Sequence, residues 1–153
     1  MYCQANRNSL VDLPTHDASG KSHLWNRNLL RMIQELLSVG LGSFLGGIFR
    51  YGISLAMKGM NTAFPWATLT ANIAGCLLIG IICAVFKRYS NLPFCAYLFL
   101  TVGFCGGFTT FSTFSKESLL LLQTGQYRAF LIYALGSVFL GLLAVVAGYS
   151  IIK

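Results

Sequence analysis

The sequence predicts an all-α integral membrane protein with four transmembrane helices, and three observations carry that prediction. Only 10% of the residues are charged against 56% hydrophobic, and mean hydropathy is +0.67, whereas an ordinary soluble domain carries about 25% charged residues. The charges are also segregated, with seven of the fifteen in residues 1–35. Beyond them, residues 59–86, 89–115 and 129–152 contain no Asp, Glu, Lys or Arg. Each run exceeds the roughly 20 residues that a helix needs to cross a hydrocarbon core. This pattern excludes a soluble enzyme core and, despite the net charge of +7, a nucleic-acid binder.

Residues 1–31 are polar, hold Pro14, His16 and His23, and lack a helical period. They read as a disordered or adventitious extension ahead of a four-helix transmembrane domain at residues 32–153. No apolar run follows a basic start there, as a signal peptide would require. Met32, where the membrane portion begins, offers a second start. The first helix is expected over residues 33–57. Its charge-free centre, residues 36–49, is too short to span alone, which puts Arg50 in the last turns or snorkelling to the interface. The second helix is expected over residues 66–86, the third from near Phe94, and the fourth over residues 130–152. Pro65 and Pro93 stand just before helix starts, where a missing N–H costs little. Trp66, Tyr89, Tyr127 and Tyr149 fall where aromatic belts form.

Four spans place both termini on one side. From Met32 onward that side holds Lys87, Arg88 and Lys153, and the other holds Arg50, Lys58, Lys116 and Arg128. So small a bias sets no firm orientation, which leaves it open for the chain to insert both ways and pair with its own inverted copy. Arg7, Lys21, Arg27 and Arg31 in the extension pull toward a single orientation instead.

The third segment does not read as a simple span. Gly103-Phe104-Cys105-Gly106-Gly107-Phe108-Thr109-Thr110-Phe111-Ser112-Thr113-Phe114-Ser115 concentrates glycines and hydroxyls at membrane depth. Each of the adjacent Gly106 and Gly107 weakens a helix by roughly 1 kcal/mol against Ala, so the break is expected there. Loosened backbone survives in lipid only where protein or a water-filled cavity satisfies it. A broken helix offers carbonyls to a cation and N–H groups to an anion; a kinked helix packed on small residues is the plainer reading. Thr110, Thr113 and Glu117 then fall along one face, with Phe111 and Phe114 on the adjacent one. Aromatic ring edges carry partial positive charge and attract an anion, although such pairs also serve packing.

On the second helix, Asn72 is the carboxamide of a charge-free run, with Thr68 one turn before it. Its NH₂ group suits an anion that has shed water, and equally suits interhelical bonding. On the fourth helix Tyr133 and Ser137 add hydroxyls one turn apart. Ser137 and Gly141, like Gly42 and Gly46, also fit close helix packing. Cys3, Cys76, Cys83, Cys95 and Cys105 form no C-x-x-C pair and read as small apolar residues. No carboxylate falls in the middle of a span, since Glu35 and Glu117 sit toward ends, and this favours passive conduction over proton coupling.

Three motifs resemble the CrcB/Fluc fluoride channels, small four-helix bacterial membrane proteins. They are Gly46-Gly47-Ile48-Phe49-Arg50-Tyr51, Thr68-Leu69-Thr70-Ala71-Asn72-Ile73-Ala74-Gly75, and the whole run of residues 103–115. The resemblance covers nearly everything after residue 31. It implies an antiparallel, dual-topology homodimer in the bacterial plasma (inner) membrane, with two fluoride pathways and fluoride export as the task. Asn72 would be the pore amide, and Phe111 and Phe114 the aromatic box. Thr68, Thr110, Thr113, Tyr133, Ser137 and Glu117 would lie on or near a polar track, with Arg50 near the vestibule. Backbone carbonyls of Gly106 and Thr109 from both subunits would hold a central structural Na⁺. Ala67 and Cys76 depart from the family's usual Gly and Ser but remain small. Among rival readings, a proton antiporter needs a carboxylate deep in the first helix, a thiol oxidoreductase needs paired cysteines, and a structural subunit leaves the glycine and hydroxyl concentration unused.

Overall fold

The computed structural model describes residues 21–59, 64–89 and 91–152, with side chains from residue 25 onward. All regular structure among them is helical. Helices α1 (Lys21–Ala56) and α2 (Trp66–Arg88) precede a composite third span and α6 (Tyr127–Ile151). The third span comprises α3 (Phe94–Leu98), a π-helical stretch Phe99–Cys105, α4 (Gly106–Phe108) and α5 (Phe111–Gln123). Four stretches are long and apolar enough to cross a membrane: Trp25–Ala56, Trp66–Arg88, Phe94–Gln123 and Tyr127–Ile151.

The boundaries follow local chemistry. Pro65 and Pro93 occupy the cap positions of α2 and α3. Thr110 caps α5, its Oγ1 accepting the Thr113 N–H at 3.3 Å. Gly125, at φ +72°, takes the left-handed conformation that side chains resist and turns the chain into α6. The first helix differs from the expectation of residues 33–57. It starts at Lys21, inside the polar 1–31 segment, whose residues 1–20 lie outside the described residues along with Lys153. No proline interrupts residues 21–56, and a helix once nucleated propagates at little cost.

The break in the third span also moves. It falls at Thr109–Thr110 and not at Gly106-Gly107. Thr109 (φ −84°, ψ 157°) and Thr110 (φ −150°, ψ 122°) are extended, whereas Gly106 is helical (φ −63°, ψ −39°). β-branched threonines sit well in extended backbone. Gly107 serves close approach instead: a Cβ there would stand 2.5 Å from the Ser43 carbonyl oxygen and 2.8 Å from its Cα.

Small residues decide the helix pairing. Helix α1 lies along the first half of the third span, with Gly42 and Gly103 in contact and Gly46 under the Phe108 N–H, where a Cβ would come within 2.7 Å. Helix α2 pairs with α6 through Gly80 against the Val145 carbonyl and Gly148 against the Leu77 carbonyl. Gly141 faces Cys76 Sγ. Backbones brought this close gain dispersion contacts, the main attraction between helices in lipid. Leu69, Leu121 and Tyr133 form a buried core, joined by Phe64, Ile73, Phe114, Ala129 and Phe130. That core lies where α2, α5 and α6 meet, directly beside the break. The described cysteines are all free thiols.

Candidate ion pathway

The break leaves backbone groups that helix geometry cannot satisfy, and side chains from two other spans take them up. In an unbroken helix the Thr110 N–H would bind the Gly106 carbonyl. It donates instead to Asn72 Oδ1 at 2.8 Å, while Asn72 Nδ2 donates to the Thr110 carbonyl at 3.3 Å. Asn72 thus clasps both polar groups of one residue, as a neighbouring strand would. The next acceptor, the Gly107 carbonyl, receives Arg50 Nε at 3.2 Å. Arg50 therefore turns inward to the level of the break; it does not snorkel to the interface. The Cys105 carbonyl takes both the N–H and the hydroxyl of Thr109, each at 2.9 Å. Gly75 is buried with its Cα face against Thr109 Cγ2, which lets the break settle on α2.

A second polar group lies further along α5. The Glu117 carboxylate accepts Thr68 Oγ1 at 2.9 Å and Tyr133 Oη at 2.7 Å, joining α2, α5 and α6. Tyr133 is fully buried. Between this group and the break stand Phe114, whose ring centroid is 5.0 Å from that of Tyr133, and Phe111, 5.8 Å from Phe114. Phe114 is half-buried in the core, but Phe111 is 79% exposed and stands on the protomer surface. Thr110 Oγ1 donates to Thr113 Oγ1 at 3.1 Å, which leaves the Thr113 proton for another acceptor. Ser137 Oγ is buried one turn beyond Tyr133 with no hydrogen-bond partner among the described residues, an expensive arrangement for a hydroxyl in a low-dielectric setting.

The structure therefore gathers Thr68, Asn72, Thr110, Phe111, Thr113, Phe114, Glu117 and Tyr133 into one continuous strip, with Ser137 at its edge. Arg50 reaches the break from the α1 side, apart from the strip. Gly106 is exposed on the protomer surface beside the break, and Thr109 is half-buried. Two hydroxyls escaped the sequence reading. Ser112 Oγ lies 3.2 Å from Thr110 Oγ1 at the exposed mouth of the break, and Ser118 Oγ is buried without a partner among the described residues. Their place in the hydroxyl-rich run and its continuation was the only signal available for either.

Residues 37–149 match the family described as CrcB-like protein, Camphor Resistance (CrcB). The chain belongs to the CrcB family. Among CrcB relatives, the fluoride-specific ion channel FluC of Phocaeicola vulgatus is 44% identical over 117 residues, 76% of this chain and 96% of that protein. The FluC protein of Bacteroides fragilis is 46% identical over 120 residues, covering 76% and 94%. That of Thermus thermophilus is 44% identical over 120 residues, covering 78% and 94%. The CrcB match takes in the second and third candidate membrane crossings whole, the first from residue 37 and the fourth up to residue 149, and every residue of the strip.

Proposed function

We propose that this protein is a fluoride-selective passive channel, not an enzyme, that exports fluoride across the bacterial plasma membrane. The observation that carries the reading is the strip itself: an amide, hydroxyls and aromatic ring edges lie in line along one side of a broken helix. These groups donate or present positive edges, which suits an anion. Fluoride is small and strongly hydrated, so only closely spaced donors can replace its water, and a larger halide fits poorly between rings held by packing. Asn72 has one N–H committed to the Thr110 carbonyl and a second to offer. Thr113, Ser137 and the edges of Phe111 and Phe114 continue the donor series, and Glu117 holds the Thr68 and Tyr133 hydroxyls in fixed orientation. Arg50, held on the Gly107 carbonyl, adds positive charge at the level of the break. No energy source is needed, because an inside-negative potential drives an anion outward.

In this reading the functional unit is an antiparallel homodimer. The exposure of Phe111, more than three-quarters of its surface, and of Gly106 supports it, since a second copy would close the strip and cover the break. Two breaks facing each other would bring the Gly106 and Thr109 carbonyls of both copies around one point. Thr110 N–H is diverted to Asn72 and Gly107 to Arg50, which leaves the Gly106 carbonyl without its helical donor. Neutral carbonyl oxygens suit a hard monovalent cation such as Na⁺, and its role would be structural.

The test is fluoride efflux from liposomes carrying the full chain, followed with a fluoride electrode and with chloride efflux as control. Rapid fluoride loss without chloride loss, abolished in Asn72→Asp and reduced in Phe111→Ile, is expected. Equal loss of both halides, or none from a folded dimer, would overturn the reading.

A further inference from the structure

Helix α1 is 36 residues long, about 54 Å at 1.5 Å per residue, against a hydrocarbon core of about 30 Å. Its packing shows where the surplus lies. Gly42 meets Gly103 and Gly46 meets Phe108, so α1 and the third span run in the same direction. The level of Phe94, where the third span begins, then falls at residues 33–36 of α1. Residues 21–32 stand beyond the core, on the side where α2 ends with Lys87 and Arg88.

Every residue from 25 to 34 is exposed, yet the helix has two unlike sides. Trp25, Leu29, Met32 and Leu36 follow one another at helical spacing, exposed at 77%, 47%, 56% and 66%. Arg27, Arg31 and Glu35 line the opposite side, one turn apart. Between this segment and the packed part of α1, Ser38 Oγ donates back to the Gln34 carbonyl at 2.7 Å. Gly40 follows, with nothing within 4 Å of a Cβ built there. Back-bonding hydroxyls and interior glycines both ease helix bending, so residues 34–40 form a place where the segment can tilt.

We propose that residues 25–36 are an interfacial anchor that lies on an anionic phospholipid surface, with the Trp25 side in the acyl boundary and Arg27 and Arg31 on the headgroup phosphates. The charge pattern selects this occupant. On this side of the membrane Arg27, Arg31, Lys87 and Arg88 outweigh Glu35, and an amphipathic helix with Trp on one side and Arg on the other suits an anionic interface. A second copy is the poorer occupant. In the antiparallel dimer proposed above, on which this one point rests, the two α1 ends emerge from opposite faces of the membrane and cannot meet.

The sequence has two tryptophans, Trp25 and Trp66, so the full chain with Trp66→Phe reports on Trp25 alone. It is reconstituted in phosphatidylcholine vesicles and in an equal mixture of phosphatidylcholine and phosphatidylglycerol. Trp25 emission is expected to shift to shorter wavelength, and to become quenchable by brominated acyl chains, in the anionic vesicles only. Arg27→Gln with Arg31→Gln should abolish both changes. Emission that is the same in the two lipids, or unaffected by the arginine changes, overturns the proposal. So does shielding of Trp25 that rises with protein concentration in lipid-free detergent, the sign of self-association. Fluoride efflux from the same vesicles reports separately on the channel reading, so failure of one is distinguishable from failure of the other.

Discussion

Asn72 holds the Thr110 N–H and carbonyl together, so its amide supports the fold before it meets any ion. Replacing it by Ala leaves two backbone groups without partners, and each half-buried group so stranded costs about 1–3 kcal/mol. Asn72→Ala should therefore unfold in detergent at lower temperature as well as lose fluoride flux. Asn72→Asp retains the acceptor for the Thr110 N–H but places a negative charge in an anion's path; it should keep more stability and lose as much flux. Tyr133 and Phe111 make an opposite pair. Tyr133→Phe strips a donor from Glu117 within the buried core and should cost about 1–3 kcal/mol. Phe111→Ile, at an exposed ring, should leave thermal stability nearly unchanged while reducing flux. At this scale the residue types were legible in sequence because hydroxyls and an amide stand out in apolar runs. Their partners were not, since Asn72 and Thr110 are joined across 38 positions and Arg50 and Gly107 across 57, and no local pattern encodes such a pairing.

Among the elements, the last three spans were legible to within a few residues, because helix starts at Pro65 and Pro93 and runs of uncharged residues are strong local signals, whereas α1 begins twelve residues before its expected start. The break was placed three residues early. Adjacent glycines mark both flexible backbone and close approach, and only the proximity of Ser43 to Gly107 shows which applies. The π-helical stretch Phe99–Cys105, which packs against α1 at Gly42 and Gly46, had no local sequence signal. Two neighbouring glycines should thus respond differently. Gly107→Ala forces α1 away from the third span and should lower the unfolding temperature clearly. Gly106→Ala, whose Cβ would meet nothing nearer than the Thr101 carbonyl oxygen at 4.0 Å, should leave the protomer folded. Its effect should appear in dimer stability, read by chemical cross-linking across a dilution series.

For the whole molecule, one protomer supplies a strip and not a closed passage. Phe111 and much of the apolar surface of α1 and α6 remain uncovered, and lipid together with an inverted copy would account for that surface. The near-balance of charge on the two sides after residue 32 fits insertion in both orientations, whereas Arg27 and Arg31 at the start of α1 favour one. Passive conduction also has a specific competitor, because Glu117 is a half-buried carboxylate between two hydroxyls, and such groups can couple transport to protons. The most direct test of the central claim is the reversal potential of the current through the full chain in a planar bilayer, with a fluoride gradient opposed by separate chloride and proton gradients. A passive fluoride channel predicts reversal at the fluoride equilibrium potential whatever the chloride or pH difference. A reversal potential that moves with pH or with chloride would contradict it.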